Sequence, residues 1–444
     1  MVYLLKQSRS FFFILTSLFC LSCASAPIVQ PQVNSLVVAE RFNHALRVLE
    51  EHQESYGKNN RLLYLLDYGT VLHISGDYGE SIKVFEEAKS LYDQLFTVSV
   101  TGQLKTWLIN DYYAPYRGED FERVMINVFQ ALNFVMMGNI NEALVEARNV
   151  DETLERINQQ YKPAEKNQYK EDAFARLLMG IIYEHKGSYE AINDAHISYK
   201  RSVETYEVDY HGNYGMDIPK VLKENILATA QWMGEGEYKV YQKKFPDVSF
   251  VGLKEKQELA EVYVFYYYGL SPIKHQVSIP IPLPNGFFTR LAFPHYDRRR
   301  SRTEPGTVKA VHKESQTEVT AQTQEVEDIA SIAAQALDNR KARVLAKAVL
   351  RSGGKVVVED QMENRLRGRF GDTTADVFRY VASLYNISSE QADLRSWQTL
   401  PAQIRIARLW LKPGVYELHL DGLFLGSVEM KKGAKEYFIV RTNR

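Results

Sequence analysis

The chain has 444 residues, 45% hydrophobic and 25% charged, with a formal net charge of −1. At roughly 100–200 residues per domain this allows two or three units, each large enough to bury a core. The even charge balance excludes the global basic field of a nucleic-acid binder, and no single-sign run forms a charged tail.

The first segment reads as a leader. Lys6 and Arg9 precede an apolar run from Phe11 to Leu21, shorter than the ~20 residues that span a bilayer, so residues 1–22 have the pattern of a secretory signal. Both cysteines, Cys20 and Cys23, lie at its end. With none beyond Cys23, a disulfide, a thiolate nucleophile and a cysteine-based zinc site are excluded from the mature chain. Leu21-Ser22-Cys23 resembles a lipobox with Cys23 as the lipidated residue, although Cys20 stands where leucine is usual. The competing cut after Ala26 would leave Pro27 directly behind the scissile bond, which disfavours it. Acyl chains on Cys23 would anchor the protein through buried CH₂ groups, at ~0.8 kcal/mol each. Ala24 in place of aspartate points to the outer membrane, periplasmic face. Residues 23–34, with Pro27 and Pro31, read as a tether.

From 35 to 250 the pattern is helical and repeats. Ala39 to Glu54 reads as an amphipathic capping helix. Leu65, Tyr68, Gly69, Leu72, Gly76, Tyr78, Ser81, Phe85 and Ala88 then fall at the spacings of a TPR unit, two antiparallel helices with a period of ~34 residues. Gly69 would let the second helix approach the first, and Gly76-Asp77-Tyr78 would make the turn. A second copy carries Ala131, Phe134, Gly138, Ile140, Ala143 and Ala147. A third carries Gly180, Tyr183, Gly187 and Tyr189, and continues at Ala195, Tyr199 and Ser202 after a short insertion. A looser pair follows from Val221 to Phe245. Such pairs stack into a solenoid with a concave groove, expected to bind another cell-envelope protein. The run Trp107 to Tyr113 ends an apolar stretch between the first two copies. Pro115 and Gly118 then make a loop, and Asp120 is placed to cap the following helix. Loops carry function more often than cores, so Tyr116, Arg117, Glu119 and Asp120 are the candidate partner-binding residues.

Beyond Lys256 the pattern changes to strands. Residues 251–326 read as a β-rich segment, with Ala260–Tyr268, His275–Ile281, Phe287–Phe293, Gly306–His312 and Glu318–Gln324 as strands. The Pro-rich SIPIPLP does not suit a central strand. Residues 327–392 read as a helical insert, with helices from Glu327 to Arg351 and Asp372 to Tyr385. Residues 393–444 alternate through four strands from Gln403 to Arg441, with turns at Pro413-Gly414, Asp421-Gly422 and Lys432-Gly433. They suggest an antiparallel, sandwich-like sheet packing with 251–326. Trp397 is expected to plug the junction before them, with Asp393 and Arg395 paired. The fold class is thus α+β and multidomain: a TPR-like solenoid, then a strand-rich region with a helical insert.

No chemistry declares itself. The ten histidines are scattered, without HExxH, P-loop or GxSxG patterns, and no catalytic residue, metal or cofactor is expected. The alternative is a glycan-binding protein or enzyme centred on His295, in Phe293-Pro294-His295-Tyr296, and on the basic cluster Arg298 to Arg302. A structural histidine and a solvated loop are the simpler readings.

YRGEDFERV (Tyr116 to Val124), ALNFVMMGNINEALVEAR (Ala131 to Arg148), LAFPHY (Leu291 to Tyr296) and ADLRSWQTLPAQIRIAR (Ala392 to Arg408) together resemble an uncharacterised family of bacterial TPR-containing lipoproteins. The resemblance spans most of the mature chain. It implies a location in the cell envelope and no established activity; the placing of such relatives beside lipoproteins that activate penicillin-binding proteins suggests a part in peptidoglycan synthesis or envelope assembly. It implies no functional residues.

Overall fold

A computed structural model of the chain describes residues 29–102, 114–160, 169–282, 288–296, 304–339 and 391–442. Cys23, Trp107–Tyr113, Arg298–Arg302, Asp372–Tyr385 and the expected helix beyond residue 339 lie outside the described residues. No described helix is long and apolar enough to cross a membrane.

The expected tether ends earlier than the sequence suggests. From Val29 the chain is already packed: α1 (Gln30–Val38) buries Val33 and Val37. Its apolar positions at i and i+4 outweigh the extended bias of Pro31, which sits in the first turn, where proline is tolerated. The cap α2 (Phe42–Glu51) follows. Three helical pairs come next: α3 (Arg61–Ser75) with α4 (Tyr78–Gly102), α5 (Asp120–Met136) with α6 (Ile140–Gln160), and α7 (Ala173–Lys186) with α8 (Tyr189–Thr205). A fourth pair, α9 (Lys220–Met233) and α10 (Glu235–Lys244), matches the looser repeat.

The repeat glycines act as their spacing implies. A Cβ on Gly69 would sit 2.8 Å from the Phe85 ring, and one on Gly180 would sit 2.3 Å from the Tyr199 ring. In each pair a ring of the second helix presses on the bare backbone of the first. Ala131, the smallest residue with a Cβ, holds the equivalent place in the second pair and is buried. Gly76, Gly138 and Gly187 end the first helices with positive φ, where other residues would be strained.

The first helices differ from the second in a way that decides the architecture. Along α3, α5 and α7 nearly every side chain is buried, as in Leu62-Leu63-Tyr64-Leu65-Leu66. The second helices keep an exposed outer face. A helix apolar all round must be covered all round. The second helices cover one side, and a sheet covers the other.

That sheet has the order β10-β1-β7-β6, from β1 (Ala260–Tyr268), β6 (Gln324–Glu327), β7 (Gln403–Leu411) and β10 (Lys435–Thr442). A second sheet, β5-β4-β8-β9, uses β4 (Thr307–His312), β5 (Glu318–Gln322), β8 (Gly414–Leu420) and β9 (Leu423–Met430). A separate ribbon pairs β2 (Lys274–Pro282) with β3 (Phe288–Tyr296), placing Pro280 and Pro282 outside both larger sheets. Strand β1 is buried on both faces. Tyr263, Phe265 and Tyr267 join the helical core. Val262, Val264 and Tyr266, with Leu409 of the neighbouring β7, pack with Leu418 and Val308 of the second sheet. The layers run second helices, first helices, sheet, sheet.

The α+β class expected from sequence is the class observed. The last four strands, however, do not form one antiparallel sheet. β7 and β10 flank β1, with β10 running parallel to it, while β8 and β9 complete the outer sheet. Helix α11, over 329–339, begins after Glu327, which belongs to β6.

Candidate functional site

The inner face of the helical array is occupied by the protein's own sheet. His73 of α3 lies fully buried against the rings of Phe129 and Tyr267, which also touch each other. Its Nδ1 is 2.6 Å from Asn133 Oδ1 and its Nε2 is 2.9 Å from the Tyr267 hydroxyl. Asn133 donates in turn to Ser81, and Ser81 to the Gly69 carbonyl. This chain fits one neutral tautomer, with Nδ1–H donating to Asn133 and Nε2 accepting from Tyr267. Burial lowers the His73 pKa to about 4. Further along, Phe174 meets Phe265 edge-on, and His185 stacks on Tyr437 and bonds its hydroxyl at 2.9 Å.

Beside these contacts sits a buried ionic cluster. Glu184 of α7 takes Lys256 and Lys435, each at 2.8 Å, and Lys435 also reaches Glu261 of β1 at 2.5 Å. Arg408 of β7 pairs with Glu224 and Asn225 of α9 and reaches Glu261 at 3.4 Å, with its guanidinium 4.9 Å from the centroid of the Trp410 ring. Burial pushes Glu184 upward, but Lys256 and Lys435 outweigh it and hold the carboxyl well below its usual range. Three cations face three carboxylates, so the cluster clamps sheet to helices without net charge. Removing one member would strand a buried charge.

A second buried network joins three of the four stretches singled out by the family resemblance, Tyr116–Val124, Leu291–Tyr296 and Ala392–Arg408. Trp397 is fully buried and donates from its ring nitrogen to Thr70 at 2.9 Å. Its backbone N–H donates to Glu122 Oε1 at 2.9 Å, and Tyr116 donates to Glu122 Oε2 at 2.7 Å. Lys274 pairs with Glu119 at 2.8 Å, donates to the Arg395 carbonyl, and lies 5.7 Å from the centroid of the Tyr296 ring. Arg395 pairs with Asp393 at 2.7 Å, as the sequence suggests, and its guanidinium sits over the Tyr116 ring. Next to it, Asp67 accepts from Gln30, Tyr56 and Thr399. Among the described residues, neither Asp67 nor Glu122 has a cation in direct contact. Burial raises Asp67 to about 6 and Glu122 to about 7.

This network corrects the reading of the 114–120 loop. Tyr116 and Glu119 are buried and spent on internal bonds, so they do not form an open binding edge. Arg117 is exposed and Asp120 half-buried. The helix start is set by Glu119, whose backbone N–H donates to Glu122 Oε2 at 2.9 Å, rather than by Asp120. Sequence reading missed Asp67, His73, Glu122, Lys274 and the ionic cluster. A signal was present: Glu261, Arg405 and Arg408 are charged residues inside otherwise apolar strands, where a charge requires a buried partner.

His295 is half-buried on β3, directly across from the exposed His275 of β2. His275 lines a cleft of about 1040 Å³ at the end of the helix-facing sheet, together with Tyr214, Tyr268, Glu325, Asp328 and Arg405. Among the described residues no group of histidine and acidic side chains is arranged to hold a metal ion.

No family model matches the sequence, and no curated protein matches it either. Among solved structures, the chain is similar to TPR-like repeats of a kinesin light chain from Podosopora anserina. The identity is 11%, the TM-score 0.31, and the match covers 50% of this chain and 91% of the other.

Proposed function

We propose that the protein is a non-enzymatic scaffold of the cell envelope, anchored through Cys23 to the periplasmic face of the outer membrane and binding another envelope protein, in peptidoglycan synthesis or envelope assembly. The lipobox-like start supports the location, and the repeat frame supports the binding role. The observation that carries the reading is the all-round burial of α3, α5 and α7. A TPR-type groove recognises partners with its inner face, and here β1, β7 and β10 fill that face. The partner surface therefore moves from the groove to the second helices α4, α6 and α8. The test is photo-crosslinking in cells from the outer-face positions Val145 and Ile197, which are 53% and 45% exposed. A discrete adduct with an envelope protein from these positions, but not from Phe424 on the outer sheet, is the expected result. No adduct from either position would reject the reading. Mass spectrometry of the mature N-terminus tests the anchor separately: an unacylated start beyond Cys23 would remove it.

One observation favours a second reading, a ligand-binding role for the cleft beside His275. Loss of a glycan-binding signal in a folded His275→Ala variant would support it, and an unchanged signal would remove His275 from it.

A further inference from the structure

The β2–β3 ribbon is seated at its base and open along one strand. At the base Lys274 and Tyr296, opposite each other in the ladder, are both buried. Ala292 and Phe293 of β3 are buried as well. Past Gln276, β2 changes character. Val277 is 36% and Ile279 46% exposed, and they share a face because strand residues two apart do. Ser278 and Pro280 are exposed too. Among the described residues β2 pairs with no strand but β3, so it is an edge. From Gln276 to Thr289 the sequence holds no charged residue.

An exposed apolar edge invites another strand to add to it. Here proline opposes that. Pro280 and Pro282 have no N–H, and residues two apart present their backbone to the same edge. A proline in a ladder keeps its nitrogen on the outer edge, so two successive donors are missing where a docking strand would pair. A charged partner surface finds no counter-charge in the run either. What suits β2 is a surface that takes apolar side chains without backbone pairing or charge matching. The headgroup–acyl boundary of a bilayer is such a surface. Water at that depth still reaches the remaining backbone groups, which the hydrocarbon core would leave unsatisfied.

The position of the chain's N-terminal end points to the same occupant. Gln30 donates to the Ser396 carbonyl at 3.4 Å, and Lys274 donates to the adjoining Arg395 carbonyl at 3.0 Å. The base of the ribbon therefore lies beside the point where the chain enters the fold. Val29, the first described residue, follows Cys23 by six residues, a reach of about 20 Å when extended. The nine residues of β2 rise about 27 Å. A bilayer held by Cys23 is thus within the span of the ribbon.

We infer that β2 from Val277 to Pro280 is a second membrane contact, seated in the headgroup–acyl boundary of the bilayer that carries the Cys23 anchor. The inference rests on the anchored reading above and adds the surface that orients the protein on the membrane.

The test places one fluorophore on the ribbon. The sequence has no cysteine beyond Cys23, so Ile279→Cys in the mature Cys23→Ser protein gives a single site for a polarity-sensitive nitrobenzoxadiazole dye. An N-terminal hexahistidine holds this protein on vesicles of phosphatidylethanolamine, phosphatidylglycerol and a nickel-chelating lipid, in place of acyl chains. On tethering, the dye at 279 is expected to brighten several-fold and shift to the blue. Lipids with a nitroxide high on the acyl chain should quench most of that gain. The same dye at Phe424→Cys, an exposed site on β9, is expected to change little. Val277→Asp, at an exposed position where substitution leaves the fold intact, should cut the gain at 279 to the level seen at 424. No gain at 279 overturns the inference, as do equal gains at 279 and 424 or a gain that Val277→Asp leaves unchanged. A gain on adding solubilised envelope protein, with none on vesicles, assigns the strand to a protein partner and overturns it too. Because the nickel lipid replaces the acyl anchor, the two readings fail separately. Insertion at 279 with an unacylated natural N-terminus would sink the anchor and leave the ribbon contact. An acylated Cys23 with no gain at 279 would do the reverse.

Discussion

Single residues set both the close approach of the helices and the pH response of the core. Gly180 admits the Tyr199 ring, and a methyl group there would lie 2.3 Å from a ring carbon. Gly180→Ala is therefore expected to destabilise by ~1–3 kcal/mol, the usual effect of overpacking, read as a lower midpoint in urea with an unchanged slope. The buried titratable groups pull in opposite directions. Asp67 and Glu122 are raised to about 6 and about 7 by burial. Their contribution is fully present below the unfolded carboxylate range and is lost as pH rises through 6 to 7. His73 and His185 are both lowered to about 4. Their contribution is present above pH ~6.5 and is lost as pH falls towards 4. The wild-type stability profile between pH 4 and 7 should accordingly be shallow. Glu122→Gln should cost stability at pH 4.5 but recover relative to wild type by up to ~3 kcal/mol towards pH 8. Chemical denaturation across that range checks it, and a flat difference would show that Glu122 titrates normally.

At the scale of elements, the seam between the first helices and β1, β7 and β10 is held by both ring packing and paired charges. Arg408 touches α9 and β1 from β7, so Arg408→Met leaves Glu224 and Glu261 short of a cation. A loss of ~3–5 kcal/mol is expected, as for other broken buried pairs. Replacing the pair member on the helix at the same time, with Glu224→Met, should recover part of that loss in a double-mutant cycle. Tyr267→Phe tests the ring side of the seam. It removes the hydroxyl that donates to His73 Nε2, leaves that nitrogen unpaired, and should cost ~1–3 kcal/mol with no change in packing volume.

For the whole molecule the seam matters more than any boundary in the chain. One hydrophobic cluster runs from Val29 through the helices to Tyr437, so the position near residue 250 where helices give way to strands is not a break in the core. A fragment ending at residue 250 would expose the inner faces of α3, α5 and α7. It is expected to bind a hydrophobic dye and to unfold without a sharp transition, whereas the full mature chain should melt in one. A cooperative, dye-silent fragment would show instead that the helical array is stable with its inner face bare.

The repeat frame and the strand pattern were legible from sequence because both depend on local spacing. Gly69 with Phe85, the turn at Gly76, and the alternation through β7 to β10 are short-range patterns with direct physical causes. The pairing of Asp393 with Arg395 lies within two residues and was legible for the same reason. The Tyr116–Glu119 loop was misjudged because Lys274, paired with Glu119, and Arg395, seated over the Tyr116 ring, lie more than 150 residues away, and no local pattern records them. The parallel register of β10 on β1 and the filling of the groove are likewise properties of long-range contact. The sequence by itself determined the helical pairs, the strands and the all-round apolar character of the first helices. Only the tertiary structure decided what covers that apolar surface, because hydrophobic burial is non-directional and any apolar face could have met the demand.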